Sequence, residues 1–133
     1  MNFWLPDNLQ RITQGQWLAE PADRARPLLG ISTDTRHIHA GQIFLALQGE
    51  KFDAHDFLHQ ASDSGATLLI VHDADKARKF LDSKKASAAH APAVMLVPDT
   101  LAALQQLAST YRDELRKRNC TVIAVAGSNG KTT

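Results

Sequence analysis

Short apolar runs of strand type recur along this chain, and most of the segments between them have helical spacing. The runs lie at Leu28–Ser32, Gln42–Leu47, Thr67–Val71, Ala93–Val97 and Thr121–Ala126. Runs of this length bounded by turn residues are typical of buried strands, and intervening helices allow successive strands to lie parallel. The alternation therefore predicts an α/β fold with mostly parallel pairing in the second half of the chain.

Helical spacing is clearest after the fourth run. Asp99 or Thr100 can cap a helix there, and basic residues crowd its end at 116–118, where positive charge is favourable. Its apolar positions repeat at three- and four-residue steps: Leu101, Leu104, Leu107, Ala108, Tyr111 and Leu115. The spacing also predicts a helix over Asp53–Ser64, with Gly65 as a left-handed cap.

The remaining segments carry weaker patterns. Ala74–Leu81 has some helical character, and Asp82–Pro92 is predicted to be a polar connector. Before the first run we expect a short helix opened by Pro6 and closed by Gly15, a brief strand at Gln16–Ala19 and a loop over 20–27.

Length, charge and cysteine content exclude several classes of protein. With 133 residues and a net charge of +1, the chain has no bulk field for nucleic acid. The apolar runs are too short to span a bilayer, so we expect a cytoplasmic protein without membrane contact, and a monomer. The single cysteine, Cys120, precludes an internal disulfide and is interpreted as an inert apolar residue. The histidines other than His55 show no spacing typical of metal ligands; they are His37, His39, His59, His72 and His90.

The last residues follow a strand-type run with a glycine-spaced turn: Gly127, Ser128, Asn129, Gly130, Lys131, Thr132 and Thr133. Glycines allow successive backbone N–H groups to face phosphate oxygens, a lysine supplies charge, and the next hydroxyl can ligate Mg²⁺. Val125 stands where the longer form of this motif has its first glycine, so the match is to a G-x-x-G-K-T variant. A polar turn with a chance lysine is the alternative.

Two stretches in the middle of the chain resemble a known family. Ser32–Arg36 and Gly41–Phe57, followed by Ala126–Thr133, are similar to the N-terminal part of bacterial Mur ligases. The resemblance covers about residues 28–133 and is nearest to the members that add D-alanyl-D-alanine (D-Ala-D-Ala) to UDP-N-acetylmuramoyl-tripeptide. Ala54 departs from the family's usual glycine and would be strained at positive φ, and Ala126 replaces a frequent threonine.

The resemblance implies a site for the UDP end of the substrate and another for ATP. The expected substrate contacts are Thr33, Thr35, Arg36, Glu50, Lys51 and Phe52. Asp53 and His55 are expected to be closer to structural. The expected ATP-binding residues are Gly127, Ser128, Asn129, Gly130, Lys131, Thr132 and Thr133. Among them the resemblance implies catalytic roles for Lys131 and Thr132, with Thr132 as the Mg²⁺ ligand. The reaction implied is ATP-dependent amide-bond formation through an acyl phosphate.

Structural alternatives stand beside several of these assignments. Asp34 and Arg36 can pair with each other or cap backbone groups. Phe52 can belong to the core, and His55 at a helix start can be a hydrogen-bonding residue without catalytic function.

The predicted organisation is a substrate-binding α/β domain over 1–118, followed over 119–133 by the first strand and phosphate loop of an incomplete ATP-binding domain. We expect such a fragment to be inactive by itself. Two other functions remain open: a ligase that adds the third amino acid of the peptide, and a stand-alone UDP-sugar-binding module without catalysis.

Overall fold

The computed structural model describes residues 2–83 and 92–117, which form one five-stranded sheet with helices on both faces. The strand order is β1-β5-β4-β3-β2; β1 is antiparallel to β5, and the other pairs are parallel. The strands are β1 (Gln16–Ala19), β2 (Ile31–Ser32), β3 (Ile43–Leu45), β4 (Leu68–Val71) and β5 (Ala93–Leu96). The predicted α/β fold is confirmed.

Within the described residues, four helices and two 3-10 turns cover the sheet. The helices are α1 (Pro6–Thr13), α2 (Leu58–Asp63), α3 (Ala74–Ser83) and α4 (Thr100–Lys117). The 3-10 turns are Thr35–His37 and Ala54–Phe57. None of the described helices is long and apolar enough to cross a membrane.

The core is divided by the sheet into two clusters. On one face Leu9 of α1 and Leu107 of α4 pack against Ile43, Leu68 and other strand residues. The opposite cluster joins α2 and α3 to alternate strand positions, including Phe44 and Leu69. Since β4 is buried at all four positions, it is the central strand that the uninterrupted apolar run predicts.

The first strand-type run is shorter than predicted, and its backbone explains why. Gly30 has a φ of +125°, which ends extended pairing on its N-terminal side. Before it, the Leu28 N–H donates to the carbonyl of Trp4 and the Leu29 N–H to that of Gly41, outside the parallel ladder. Only Ile31 and Ser32 pair with β3.

Three boundaries also differ from the prediction. Asp53 caps a 3-10 turn, and the α-helix itself begins at Leu58. Helix α3 extends to Ser83, so it includes the first two residues of the connector predicted over 82–92. Gly15 was expected to close α1, but Gln14 takes the left-handed conformation there.

Gly15 instead allows a close approach between chain segments. A Cβ atom at this position would lie 2.5 Å from Cγ of Met95, a core residue of β5. Gly65 has a φ of +110°, as expected for the residue that ends α2. Ala54 lies in a 3-10 turn without positive φ, so this departure from the family pattern introduces no strain.

Candidate functional site

The predicted substrate contacts follow β2 and β3, which are neighbouring parallel strands. Thr33, Thr35 and Arg36 come after β2, whereas Glu50 and its neighbours come after β3. Parallel strands end at the same edge of a sheet, and open α/β sheets bind ligands outside that edge. The fold therefore brings both groups to the carboxyl edge.

Asp34 and Arg36 pair with each other in the first of these segments. The Arg36 Nε and Nη2 atoms donate to the two carboxylate oxygens of Asp34 at 3.2 and 3.0 Å. Asp34 Oδ1 also accepts from the Arg36 backbone N–H at 2.9 Å, capping the 3-10 turn. These hydrogen bonds from Arg36 hold the pKa of Asp34 at about 2. The Arg36 side chain is nevertheless 79% exposed, so its guanidinium is accessible to an anion.

The second segment is a tight turn over residues 48–53, here called the substrate turn. The Gly49 N–H donates to the Phe52 carbonyl at 2.6 Å, and Gln48 forms a β-bridge with Asp53 at its base. Phe52 is 58% exposed, so it lies outside the core. Its ring stacks on that of Phe57, with centroids 5.3 Å apart and planes 15° apart.

The two charged side chains at the tip of the substrate turn have no polar partner among the described residues. Neither Glu50 nor Lys51 forms a side-chain hydrogen bond or ion pair with the residues that the structure describes. The same holds for the hydroxyls of Thr33 and Thr35. Polar groups without internal partners at a ligand-binding edge are available to bind a polar ligand.

His55 anchors the C-terminal end of the substrate turn. Its side chain is fully buried, with Nδ1 2.7 Å from Asp53 Oδ1. Its Nε2 atom accepts from the backbone N–H groups of His72 and Asp73 at 3.0 and 3.2 Å. Nε2 therefore carries no proton, and Nδ1–H donates to Asp53. Burial lowers the pKa of His55, which agrees with a neutral, structural ring.

The side chains of Lys76 and His55 both donate hydrogen bonds to the Asp53 carboxylate, which also caps the 3-10 turn that follows it. Lys76 Nζ lies 2.9 Å from Asp53 Oδ2 and 2.7 Å from Asp56 Oδ1. Burial by itself raises the pKa of Asp53, but the hydrogen bonds from Lys76 and His55 outweigh it and hold that pKa at about 2. Asp53 is therefore ionised and fixed, not free to exchange a proton with a ligand.

Sequence reasoning assigned no role to two residues that complete this region, Gln48 and His72. His72 Nε2 lies 3.0 Å from Gln48 Oε1, and its Nδ1 lies 2.9 Å from Thr100 Oγ1. The two residues are 24 positions apart, so no local spacing reveals the contact. The available signal was positional: His72 directly follows the buried run of β4, at the same edge as the predicted site.

A cavity of about 650 Å³ lies at the opposite edge of the sheet. Its walls include Thr67 and Ala93, which precede or begin β4 and β5, together with Trp17 and Leu28. None of the predicted substrate contacts lines it. We place the site at the carboxyl edge because that is where polar side chains converge.

The predicted ATP-binding residues 127–133 lie outside the described residues, as do Cys120, His90 and the strand predicted at Thr121–Ala126. Within residues 2–83 and 92–117, no group of three or more His, Cys, Asp or Glu side chains is arranged to hold a metal ion.

Comparison with known proteins identifies the family. The family model described as "Mur ligase family, catalytic domain" matches residues 28–112. The UDP-N-acetylmuramoyl-tripeptide--D-alanyl-D-alanine ligase of Bacillus subtilis is 40% identical over 95% of this chain, and the one of Escherichia coli 38% over 77%. A UDP-N-acetylmuramoyl-L-alanyl-D-glutamate--2,6-diaminopimelate ligase of Syntrophomonas wolfei is 34% identical over 81%.

Solved structures give the same answer for the fold. The crystal structure of MurF from Acinetobacter baumannii superposes with a TM-score of 0.63 at 34% identity, covering 84% of this chain and 21% of that one. The chain spans about a quarter or less of these relatives, 24% of the Bacillus protein and 19% of the Escherichia one. The resemblance inferred from the motifs is confirmed: this chain belongs to the Mur ligase family.

Proposed function

We propose that the carboxyl edge of this sheet binds the UDP end of a UDP-N-acetylmuramoyl peptide. The observation that carries the proposal is the substrate turn, whose base is held by hydrogen bonds while its tip is not. Phe52 presents an exposed ring for a base, and Lys51 presents a free ammonium group for a diphosphate. Arg36, on the segment after β2, supplies a second exposed cation.

We propose further that the chain forms the N-terminal part of an ATP-dependent ligase that adds D-Ala-D-Ala to the tripeptide. The names of the Bacillus and Escherichia relatives support this choice. A ligase that adds the third amino acid is the second candidate, supported by the diaminopimelate-adding relative at 34% identity. The higher identity to the first group favours D-Ala-D-Ala.

In this proposal, one set of residues binds ATP and a different set binds the UDP end of the substrate. Bound ATP would supply the phosphoryl group that activates the substrate carboxylate as an acyl phosphate. Lys131 and the backbone N–H groups of residues 127–130 would stabilise phosphate charge, and the Thr132 hydroxyl would hold Mg²⁺. Thr33–Arg36 and the substrate turn would hold the nucleotide end and so position the distant carboxylate.

NMR titration of the 133-residue chain with UDP-N-acetylmuramoyl-tripeptide tests the site. We expect shifts of amide signals concentrated at 33–36 and 49–53, reproduced by UDP and weaker with CDP. Lys51→Ala should weaken binding, whereas Lys79→Ala, an exposed lysine on α3, should not. A ligand concentration of about 1 mM lies well above the dissociation constant expected for such a site. Unchanged signals in both segments at that concentration would refute the assignment.

Ligation by the longer protein distinguishes the enzyme from a stand-alone binding module. The ligase hypothesis expects D-Ala-D-Ala-dependent phosphate release from ATP by a chain that continues past Thr133. Release that depends on diaminopimelate or lysine instead supports the second candidate. Binding of the UDP ligand without any ATP-dependent ligation supports the module.

A further inference from the structure

Both ends of the substrate turn are fixed to the segment that directly follows the neighbouring strand β4. At its C-terminal end, Asp53 is held by His55, which itself accepts from the backbone after β4. At its N-terminal end, the Gln48 side chain is held by His72, the first residue after β4. Two histidines therefore hold the two ends, and their rings contact each other with centroids 4.5 Å apart.

The protonation of His72 follows from its donors. The Thr100 backbone N–H donates to Nδ1 at 3.2 Å, and the Thr100 hydroxyl lies 2.9 Å from the same atom. Nδ1 therefore acts as an acceptor, which leaves Nε2–H to donate to Gln48 Oε1 at 3.0 Å. One ring thus caps the first turn of α4 through one nitrogen and holds the substrate turn through the other.

The cap on α4 is shared between two side chains. Asp99 Oδ1 accepts from the Leu101 N–H at 2.9 Å. The backbone N–H of the buried Thr100 donates to His72 Nδ1. The contact with Gln48 is separate from this capping function, because it uses the opposite nitrogen and an exposed partner. Removing it leaves the helix cap intact.

We propose that His72 is a positioning residue for the nucleotide-binding turn, acting through Gln48. This inference rests on the function proposed above. Fixing the turn before the ligand arrives removes part of the ordering cost of binding, which raises affinity without any contact between His72 and the ligand. Phe52 and Lys51 then present a ring and a charge from a fixed base.

Two isosteric substitutions separate the two nitrogens. Asn reproduces the position of Nδ1, so His72→Asn keeps an acceptor for Thr100 and loses the reach to Gln48. Gln reproduces the position of Nε2, so His72→Gln keeps a partner for Gln48 and loses the cap. Gln48→Leu removes the same contact from the other side and leaves His72 in place.

The measurements are the dissociation constant for UDP, by calorimetry, and the melting temperature of the 133-residue chain. We expect His72→Asn and Gln48→Leu to weaken UDP binding by about three- to tenfold, as for one lost hydrogen bond, with little change in melting temperature. His72→Gln should melt lower and bind UDP within about twofold of the unchanged chain. Affinity that follows melting temperature across all three variants overturns the inference.

Amide hydrogen exchange makes the test independent of the ligand. The Gly49 and Ala54 N–H groups form the hydrogen bonds that close the turn, to Phe52 and Leu47. Both should exchange faster in His72→Asn and Gln48→Leu than in His72→Gln. Equal exchange in all variants overturns positioning, whereas faster exchange in a chain that does not bind UDP refutes the proposed function and leaves the fixed turn intact.

Discussion

The Nδ1 atom of His55 lies 2.7 Å from Oδ1 of Asp53, and the histidine ring is fully buried and neutral. This pair resembles the His–Asp arrangement of a general base, but the other ring nitrogen, His55 Nε2, accepts hydrogen bonds from two backbone N–H groups. A ring whose two nitrogens are both satisfied has no position left for a substrate proton. The pair therefore joins two loops of the site and does not take part in proton transfer.

Replacing His55 by leucine is expected to destabilise the fold. The substitution leaves Asp53 without one donor and the backbone N–H groups of His72 and Asp73 without their acceptor. We expect a loss of about 2–4 kcal/mol in the free energy of unfolding, measured by urea denaturation. His59→Leu is the control, since His59 is exposed on α2, and should cost less than about 1 kcal/mol. Equal losses would contradict this account.

Acidification is expected to destabilise the chain in two steps. Burial lowers the pKa of His55 in the folded state, so the unfolded state gains a proton first as pH falls through about 6.5. Stability from this group is therefore full above that pH and declines below it. Asp53 has a folded pKa of about 2 against 3.8 when unperturbed, so its contribution is full above pH 4 and is lost between 4 and 2.

Unfolding free energies measured from about pH 7.5 down to about pH 2 test both steps. His55→Gln should flatten the first decline, because the titrating group is gone. Lys76→Met should weaken the second, because it removes a donor that lowers the pKa of Asp53. Stability that rises on acidification below neutrality would contradict the neutral buried ring.

Gly65→Ala is expected to be costly at a position outside the site. The φ of Gly65 is +110°, and a Cβ atom there would lie 2.9 Å from the Cα of Ala40. Both the backbone conformation and the contact oppose a side chain, so we expect a loss of about 2 kcal/mol or more in thermal or urea unfolding. Gly49→Ala is the matched control: its nearest contact is 3.7 Å, and its cost should be below about 1 kcal/mol.

The sheet and its edge could be predicted from the sequence because they depend on local patterns. The run at Thr67–Val71 became β4, and the helical spacing after Asp99 became α4. The predicted ends of a strand were wrong where a backbone partner distant in sequence determines them. Leu28, for example, hydrogen-bonds to Trp4 and not to a neighbouring strand. Phe52 was equally compatible with core or surface, and only its position on the tip of a turn placed it outside.

The histidine contacts could not be predicted for a similar reason. His55 and His72 are 17 residues apart, and their hydrogen bond exists only because β3 and β4 are neighbours in the sheet. Spacing rules detect ligands on one helix or strand, so both were assigned as structural or without a role. The substrate contacts were transferred from the family motif, and they remain predictions until binding is measured.

Lys131→Ala is expected to abolish most catalysis in a chain that carries the whole ligase. In the proposed phosphate loop this lysine would stabilise charge on the transferred phosphoryl group, and groups with that role contribute about a hundredfold or more to the rate. Phosphate release from ATP, measured with saturating peptide and D-Ala-D-Ala, should fall accordingly. UDP binding should be unchanged, because the proposed contacts to the UDP end of the substrate do not include Lys131. Turnover near that of the unchanged protein would remove Lys131 from the mechanism.

Phe52→Ala is expected to weaken UDP binding without changing stability. Phe52 is 58% exposed and its ring contacts Phe57, so the loss of the ring creates no cavity in the core. Stacking of one base on an aromatic ring is worth about 1–3 kcal/mol, which corresponds to a loss of about fivefold to a hundredfold in affinity. Phe52→Trp should retain binding. Leu101→Ala, which removes another exposed apolar side chain, should change neither affinity nor melting temperature. If Phe52→Ala binds UDP as tightly as the unchanged chain, the base does not stack on this ring, and the aromatic pair serves only to fix the turn.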